Sequence, residues 1–280
     1  MILVTGAAGK TGLAVLRALA ARGADTRALI HKADYEAAVR TAGATDVMLG
    51  DLAAPADMAT ALSGVDALYL IIPNMHPQEA GLGQHIVAQA ADVGLPRLVY
   101  HSVLYPHIEA MPHHWAKLRV EEALISSGLP FTILQPAAYM QNILGYWDAI
   151  LDQGGYQLPY SVEAKSTPVD LGDVAEVAAS VLTEDGYAFA SFELCGPETL
   201  SAREQAAQVG ERLGQPVTVE AISVEDWRYG ASGLQAYARN TLSQMFSYYD
   251  QHGFIGNGAV LQQLLGRPPT RFREFLQRIN

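Results

Sequence analysis

Short apolar runs alternate with stretches of helical periodicity through the first half of the chain. Residues 2–5, 26–30, 47–49, 67–72, 97–101 and 131–135 read as strands, and residues 13–22, 35–42, 58–62, 84–93 and 116–126 as the helices between them. The run Leu68-Tyr69-Leu70-Ile71-Ile72 has no polar alternation, which is what a strand covered on both faces requires. The pattern predicts an α/β fold of the Rossmann type, a doubly wound parallel sheet with helices on both faces. Gly23, Gly43, Gly64 and Gly94 punctuate the units where helices end or strands begin.

Beyond Pro136 the regular pattern gives way to aromatic and irregular sequence over residues 139–160. A helix over residues 174–182 follows, capped by Asp170 or Asp173, then a strand at 189–194, a helix at 202–213 and a strand at 217–222. A helical tail covers 224–249 and 260–279. Residues 1–136, with a return segment near 167–195, are expected to form the dinucleotide-binding domain. Residues 137–280 are expected to form mainly a smaller substrate-binding lobe over the carboxyl edge of the sheet.

Half of the 280 residues are apolar, enough for a sizeable core. A formal net charge of -11 disfavours nucleic acid and anionic lipid as partners. The one cysteine, Cys195, cannot form an internal disulfide. A strand beginning at Ile2 leaves no room for a secretory leader, and the longest apolar run, residues 67–73, falls far short of the roughly 20 residues that cross a bilayer. A soluble, cytoplasmic protein acting on a small molecule is expected, with its oligomeric state open.

The candidate chemistry starts at Gly6-Ala7-Ala8-Gly9-Lys10-Thr11-Gly12, between the first strand and the first helix. Glycines at this spacing let a pyrophosphate approach the backbone at a helix N-terminus. Gly9-Lys10-Thr11 is no phosphate-binding loop of the triphosphatase type, because Val4 stands where that motif needs glycine. The second strand runs into His31 and Lys32 with no acid at its end, which favours the 2′-phosphate of NADP while leaving NAD open. Asp51, after the third strand, is placed either to accept from an adenine amino group or to cap the next helix. His101, His107, His113 and His114 lack the spacing of a zinc site, and no metal is expected.

The glycine loop, Gly50-Asp51-Leu52, Lys117 with Glu121, Ser127 through Pro136, Asn142, and Gly266-Arg267-Pro268-Pro269-Thr270 together resemble the NmrA-like atypical short-chain dehydrogenase/reductases, nearly end to end. The resemblance implies NAD(P) binding, in members that are NADPH-dependent reductases of quinones, dyes or aromatic ethers and in others that are redox-sensing regulators. It implies cofactor contacts from Lys117 and Pro136, and a substrate-polarising hydroxyl from Ser102. Ordinary short-chain dehydrogenases carry Tyr-x-x-x-Lys; here His113 stands four residues before Lys117, where it would share a helix face with it and serve as proton donor. Tyr139, Met140, Tyr146 and Trp147 are candidates either for an aromatic substrate pocket or for core. The expected activity is hydride transfer from NADPH to a conjugated, quinone-like or aromatic substrate; the alternative is a non-catalytic NAD(P) redox sensor.

Overall fold

The computed structural model describes residues 1–279. The chain forms β1 (Ile2–Val4), α1 (Lys10–Ala21), β2 (Thr26–Ile30), α2 (Glu36–Thr41), β3 (Asp46–Leu49), α3 (Pro55–Leu62), β4 (Ala67–Leu70), α4 (Glu79–Asp92), β5 (Leu98–His101), α5 (Pro112–Ser126) and β6 (Phe131–Pro136). There follow α6 (Trp147–Gln153), β7 (Gly155–Leu158), β8 (Lys165–Ser166), α7 (Leu171–Thr183), β9 (Ala190–Leu194), β10 (Leu200–Ser201), α8 (Ala202–Leu213) and β11 (Thr218–Ala221). The chain ends in α9 (Val224–Gly230), α10 (Ala236–His252), α11 (Ala259–Leu265) and α12 (Phe272–Gln277). Among the described residues no helix is long and apolar enough to cross a membrane.

Seven strands make one parallel sheet in the order β3-β2-β1-β4-β5-β6-β9. β9 extends it beside β6, with Phe189 N donating to Phe131 O at 2.6 Å and Ala137 N to Leu194 O at 2.9 Å, an ascending register. The order reverses between β1 and β4, so the crevice at their carboxyl ends is the topological switch point where open α/β sheets bind ligands. Thr5 ties its two sides together: its hydroxyl donates to Ile71 O at 2.9 Å and accepts from Ile71 N at 2.8 Å.

Two compact units divide the chain. The first comprises Met1–His107, His114–Gln135 and Val174–Phe192. Its core is fully buried aliphatic sequence, including Leu3, Leu68, Leu70, Ile72, Ile86, Leu98, Val120 and Ile133, with Tyr100. Strand residues that are apolar at every position bury on both faces, as the unbroken runs require.

The second unit comprises Ile108–His113, Pro136–Asp173 and Glu193–Asn280. Here β11 pairs in parallel with β7, Thr218 opposite Gly155 through Ala221 opposite Leu158. Met140, Ile143, Ile150, Tyr156, Ala206, Val209 and Phe272 form its core. Residues 139–160 are therefore not irregular: α6 and β7 lie there, and β7 is stabilised by a partner sixty residues away that no local pattern reveals.

The helical tail also differs from expectation, in two places. Residues 224–249 break after Gly230, and 260–279 break at Gly266, whose φ of +65 ends α11 ahead of Pro268 and Pro269. Of the two candidate caps, Asp170 is the one used: its Oδ1 accepts from Gly172 N at 3.0 Å. Asp173 instead accepts from Arg267 at 2.8 Å and from Thr270 N at 2.6 Å, so the Gly266–Thr270 motif is a clamp on a buried carboxylate.

Candidate cofactor and active site

The glycine loop closes β1 onto α1. Gly6 holds φ at +57, and a Cβ there would lie 2.9 Å from the Ile71 side chain. A Cβ on Gly12 would lie 2.4 Å from Gly6 O and 2.6 Å from Ala7 Cα. Gly9 N donates to Gly6 O at 3.0 Å, and Gly9 caps α1 without a side chain. No acidic residue stands in the first turn of this twelve-residue helix. The result is a backbone cradle at a positive helix end, open at Gly6 and Gly9, which fits a dinucleotide pyrophosphate. Ala8 and Thr11 are half-buried in the same turn, and partial burial of the exposed-tipped Lys10 lowers its ammonium pKa.

At the end of β2, His31 and Lys32 are both exposed. The His31 ring meets Tyr35 edge-on at 5.2 Å, and Lys32 has no ion pair among the described residues. The Asp51 carboxylate accepts from Ala53 N at 2.8 Å, closing its own turn. The N-cap of α3 is Ala54, so the capping role expected as one option for Asp51 is not what the residue does.

Beyond the switch point, the ends of β5 and β6 and the flank of α5 enclose a buried polar cluster. Lys117 is 2% exposed. Its ammonium lies 3.3 Å from Glu79 Oε1, donates to His101 O at 3.1 Å and stands 5.4 Å over the Tyr100 ring. Glu121, one turn on along α5, accepts from the Ser102 hydroxyl and from Gln135 Nε2 at 2.9 and 3.1 Å. Desolvation raises the Glu121 pKa, against the opposing pull of those hydrogen bonds and of Lys117. His101 Nδ1 is 2.6 Å from the Tyr69 hydroxyl, and burial, then the Lys117 charge, holds the imidazole pKa down to about 3, so His101 is neutral.

These contacts change the expected roles. Ser102 has one proton and gives it to Glu121, so while Glu121 is ionised that hydroxyl cannot donate to a substrate oxygen. Lys117 is a buried, paired cation and not a solvated one, and its removal cannot be neutral for folding. On the same helix Val120 and Leu124 enter the core, and Leu118 is half-buried. His113 is 5% exposed at the start of α5. In the second unit Pro136 is buried at the end of β6, Met140 belongs to the apolar core, and Tyr146 and Trp147 pack against that core, Tyr146 with its ring 5.1 Å from Tyr156. Tyr139 is half-buried beside the bridge it makes to Val169.

Sequence reading missed Glu79, Gln135 and the Tyr69–His101 pair. An acid in the first turn of a helix normally reads as a solvated dipole partner.

The NmrA-like family model matches residues 1–276. The chain belongs to the NmrA-like family. It is 28% identical to the NAD(P)H azoreductase of Xenophilus azovorans, over 98% of this chain and 96% of that protein. It is 32% identical, with the same coverage, to the (4-alkanoyl-5-oxo-2,5-dihydrofuran-3-yl)methyl phosphate reductase of Streptomyces griseus. Its fold is shared with the NADPH-dependent quinone oxidoreductase of Escherichia coli complexed with NADPH, at a TM-score of 0.87 and 24% identity, over 99% of each chain. In this NmrA-like chain the glycine loop and the cluster of Lys117, Glu79, Ser102 and Glu121 belong to the same compact unit.

Proposed function

We propose that this NmrA-like protein is an NADPH-dependent reductase that passes a hydride to a small conjugated, quinone-like or aromatic acceptor, with the final proton drawn from solvent. It is an NAD(P)H-dependent oxidoreductase by kinship with reductases along its whole length. The loop of Gly6, Gly9 and Gly12 with the α1 N-terminus would hold the pyrophosphate, and Lys32 the 2′-phosphate. When bound, the dinucleotide supplies the hydride.

The observation that carries the choice of acceptor is the commitment of the donors. Ser102 donates to Glu121, and Lys117 is held by Glu79 and His101 O. Reduction of an isolated ketone builds an alkoxide, whose formation needs a positioned acid. Reduction of a quinone, or of another extended π-system, leaves a delocalised anion that water protonates without help. A protein whose hydroxyl and ammonium are already engaged suits the second class.

The test is NADPH oxidation with 1,4-benzoquinone and with cyclohexanone under the same conditions. Turnover of the quinone with no turnover of the ketone is expected. Comparable rates on both would overturn the acceptor assignment. Tight NADPH binding with no turnover of quinones, enones or azo compounds would replace the reductase by a dinucleotide-binding protein without chemistry.

A further inference from the structure

Within the second unit a cleft of 420 Å³ opens between the end of β7, the loop from β11 into α9, and the last turns of α10. Among its ten lining residues Asp250 is the only charged one, and there is no Lys, Arg or His. Asp250 is oriented by its neighbour: Oδ1 accepts from Ser161 N at 2.6 Å, which leaves Oδ2 for a ligand. Two of the three lining serines have spent their protons inside the protein. Ser223 donates to Asp226 at 2.6 Å, and Ser247 donates to Ser243 O at 3.0 Å. What those two hydroxyls have left to offer is lone pairs.

The one aromatic ring in the lining is Tyr160. Stacking on Phe246 at 5.8 Å and an edge contact with Tyr249 at 6.0 Å hold it in place, and Trp227 braces Phe246 at 4.8 Å. Pro159, Ile222 and Val224 supply apolar surface beside it. A carboxylate, two acceptor-only hydroxyls and a fixed π face together are complementary to N–H donors that carry positive charge on an apolar stem.

We infer that this cleft binds a primary organic ammonium, its nitrogen on Asp250 and its hydrocarbon part along Tyr160, Ile222 and Val224. The site is separate from the reductase reading and does not rest on it.

Phenethylammonium and its neutral analogue 2-phenylethanol, titrated by calorimetry into the full chain with and without NADPH, test the assignment. Saturable binding of the amine is expected in the millimolar range or tighter, with the alcohol at least about tenfold weaker. Asp250→Asn keeps an oxygen for Ser161 N; it should lose about tenfold or more for the amine while turning over quinone at the parent rate. Tyr160→Leu should weaken the amine independently of Asp250. Equal affinity for amine and alcohol, or for parent and Asp250→Asn, would overturn the inference, as would no saturable binding of the amine. Because the amine–alcohol contrast uses the unaltered protein, misfolding of a variant cannot mask the result.

Discussion

The glycine loop and the polar cluster lie at the same carboxyl edge of one sheet, yet they are built on opposite principles. At the loop, function rests on what is missing: no Cβ at Gly6, Gly9 or Gly12, and no acid in the first turn of α1. The cluster is crowded. Lys117 pairs with Glu79, Glu121 accepts from Ser102 and Gln135, and all of these but the half-buried Gln135 are shut away from solvent. A cradle of backbone must keep its groups available to a ligand, whereas buried charges must be paired or they destabilise the fold. The comparison separates residues that bind from residues that hold the binding edge in shape.

The largest expected effect breaks the cluster. Glu79→Gln leaves the Lys117 ammonium buried beside a neutral amide, at a cost of about 3–5 kcal/mol in urea unfolding. The double change Glu79→Gln with Lys117→Met should recover much of it, because no uncompensated charge remains. A single Glu79→Gln protein as stable as the parent would show that Lys117 finds its counter-charge elsewhere.

Gly12→Ala breaks the loop instead. A methyl 2.4 Å from Gly6 O forces the backbone apart, for about 1–3 kcal/mol of stability and, more tellingly, for loss of measurable NADPH binding. Glu79→Gln should do the reverse, costing stability first and leaving NADPH affinity in the remaining folded protein close to parental. Melting curves and calorimetry on both variants give the two orderings directly.

Those contrasts bear on what the sequence made legible. All seven sheet strands could be read locally, β9 among them as residues 189–194, most plainly β1, β4 and β5, which are buried at every position, and the glycine spacing announced the cradle. Residues 139–160 could not be read in this way, because β7 gains its hydrogen bonds from β11, sixty residues on, and α6 is only seven residues long. The cluster was half visible. Lys117 and Ser102 stood out as residue types, but nothing in a run of letters shows that Ser102 spends its proton on Glu121, or that the partner of Lys117 lies in α4 and not one turn along α5.

A smaller effect comes from pH. His101 titrates at about 3 when folded against 6.5 when unfolded, so below 6.5 the unfolded chain binds the extra proton and stability falls with pH. Between pH 6.5 and about pH 5 this amounts to about 2 kcal/mol. The raised pKa of Glu121 works with the opposite sign, since protonation of that group favours the folded form as pH drops. His101→Gln keeps an acceptor for Tyr69 and should flatten the acid loss seen in melting temperature; an unchanged acid slope would place the titrating group elsewhere.

The smallest effect sharpens the loop side of the comparison. Lys32→Ala removes an exposed charge and should weaken NADPH about tenfold while leaving NADH nearly unchanged, as measured by calorimetry at fixed salt. Equal losses for both cofactors would remove the 2′-phosphate from Lys32.

The cluster shapes the site and does not deliver the proton. Steady-state turnover of 1,4-benzoquinone with NADPH deuterated at the transferred position, in H2O and again in D2O, separates the two transfers. The deuterated cofactor should slow turnover and D2O should leave it nearly unchanged, with Ser102→Ala behaving like the parent in both solvents. A large solvent isotope effect that disappears in Ser102→Ala would contradict it.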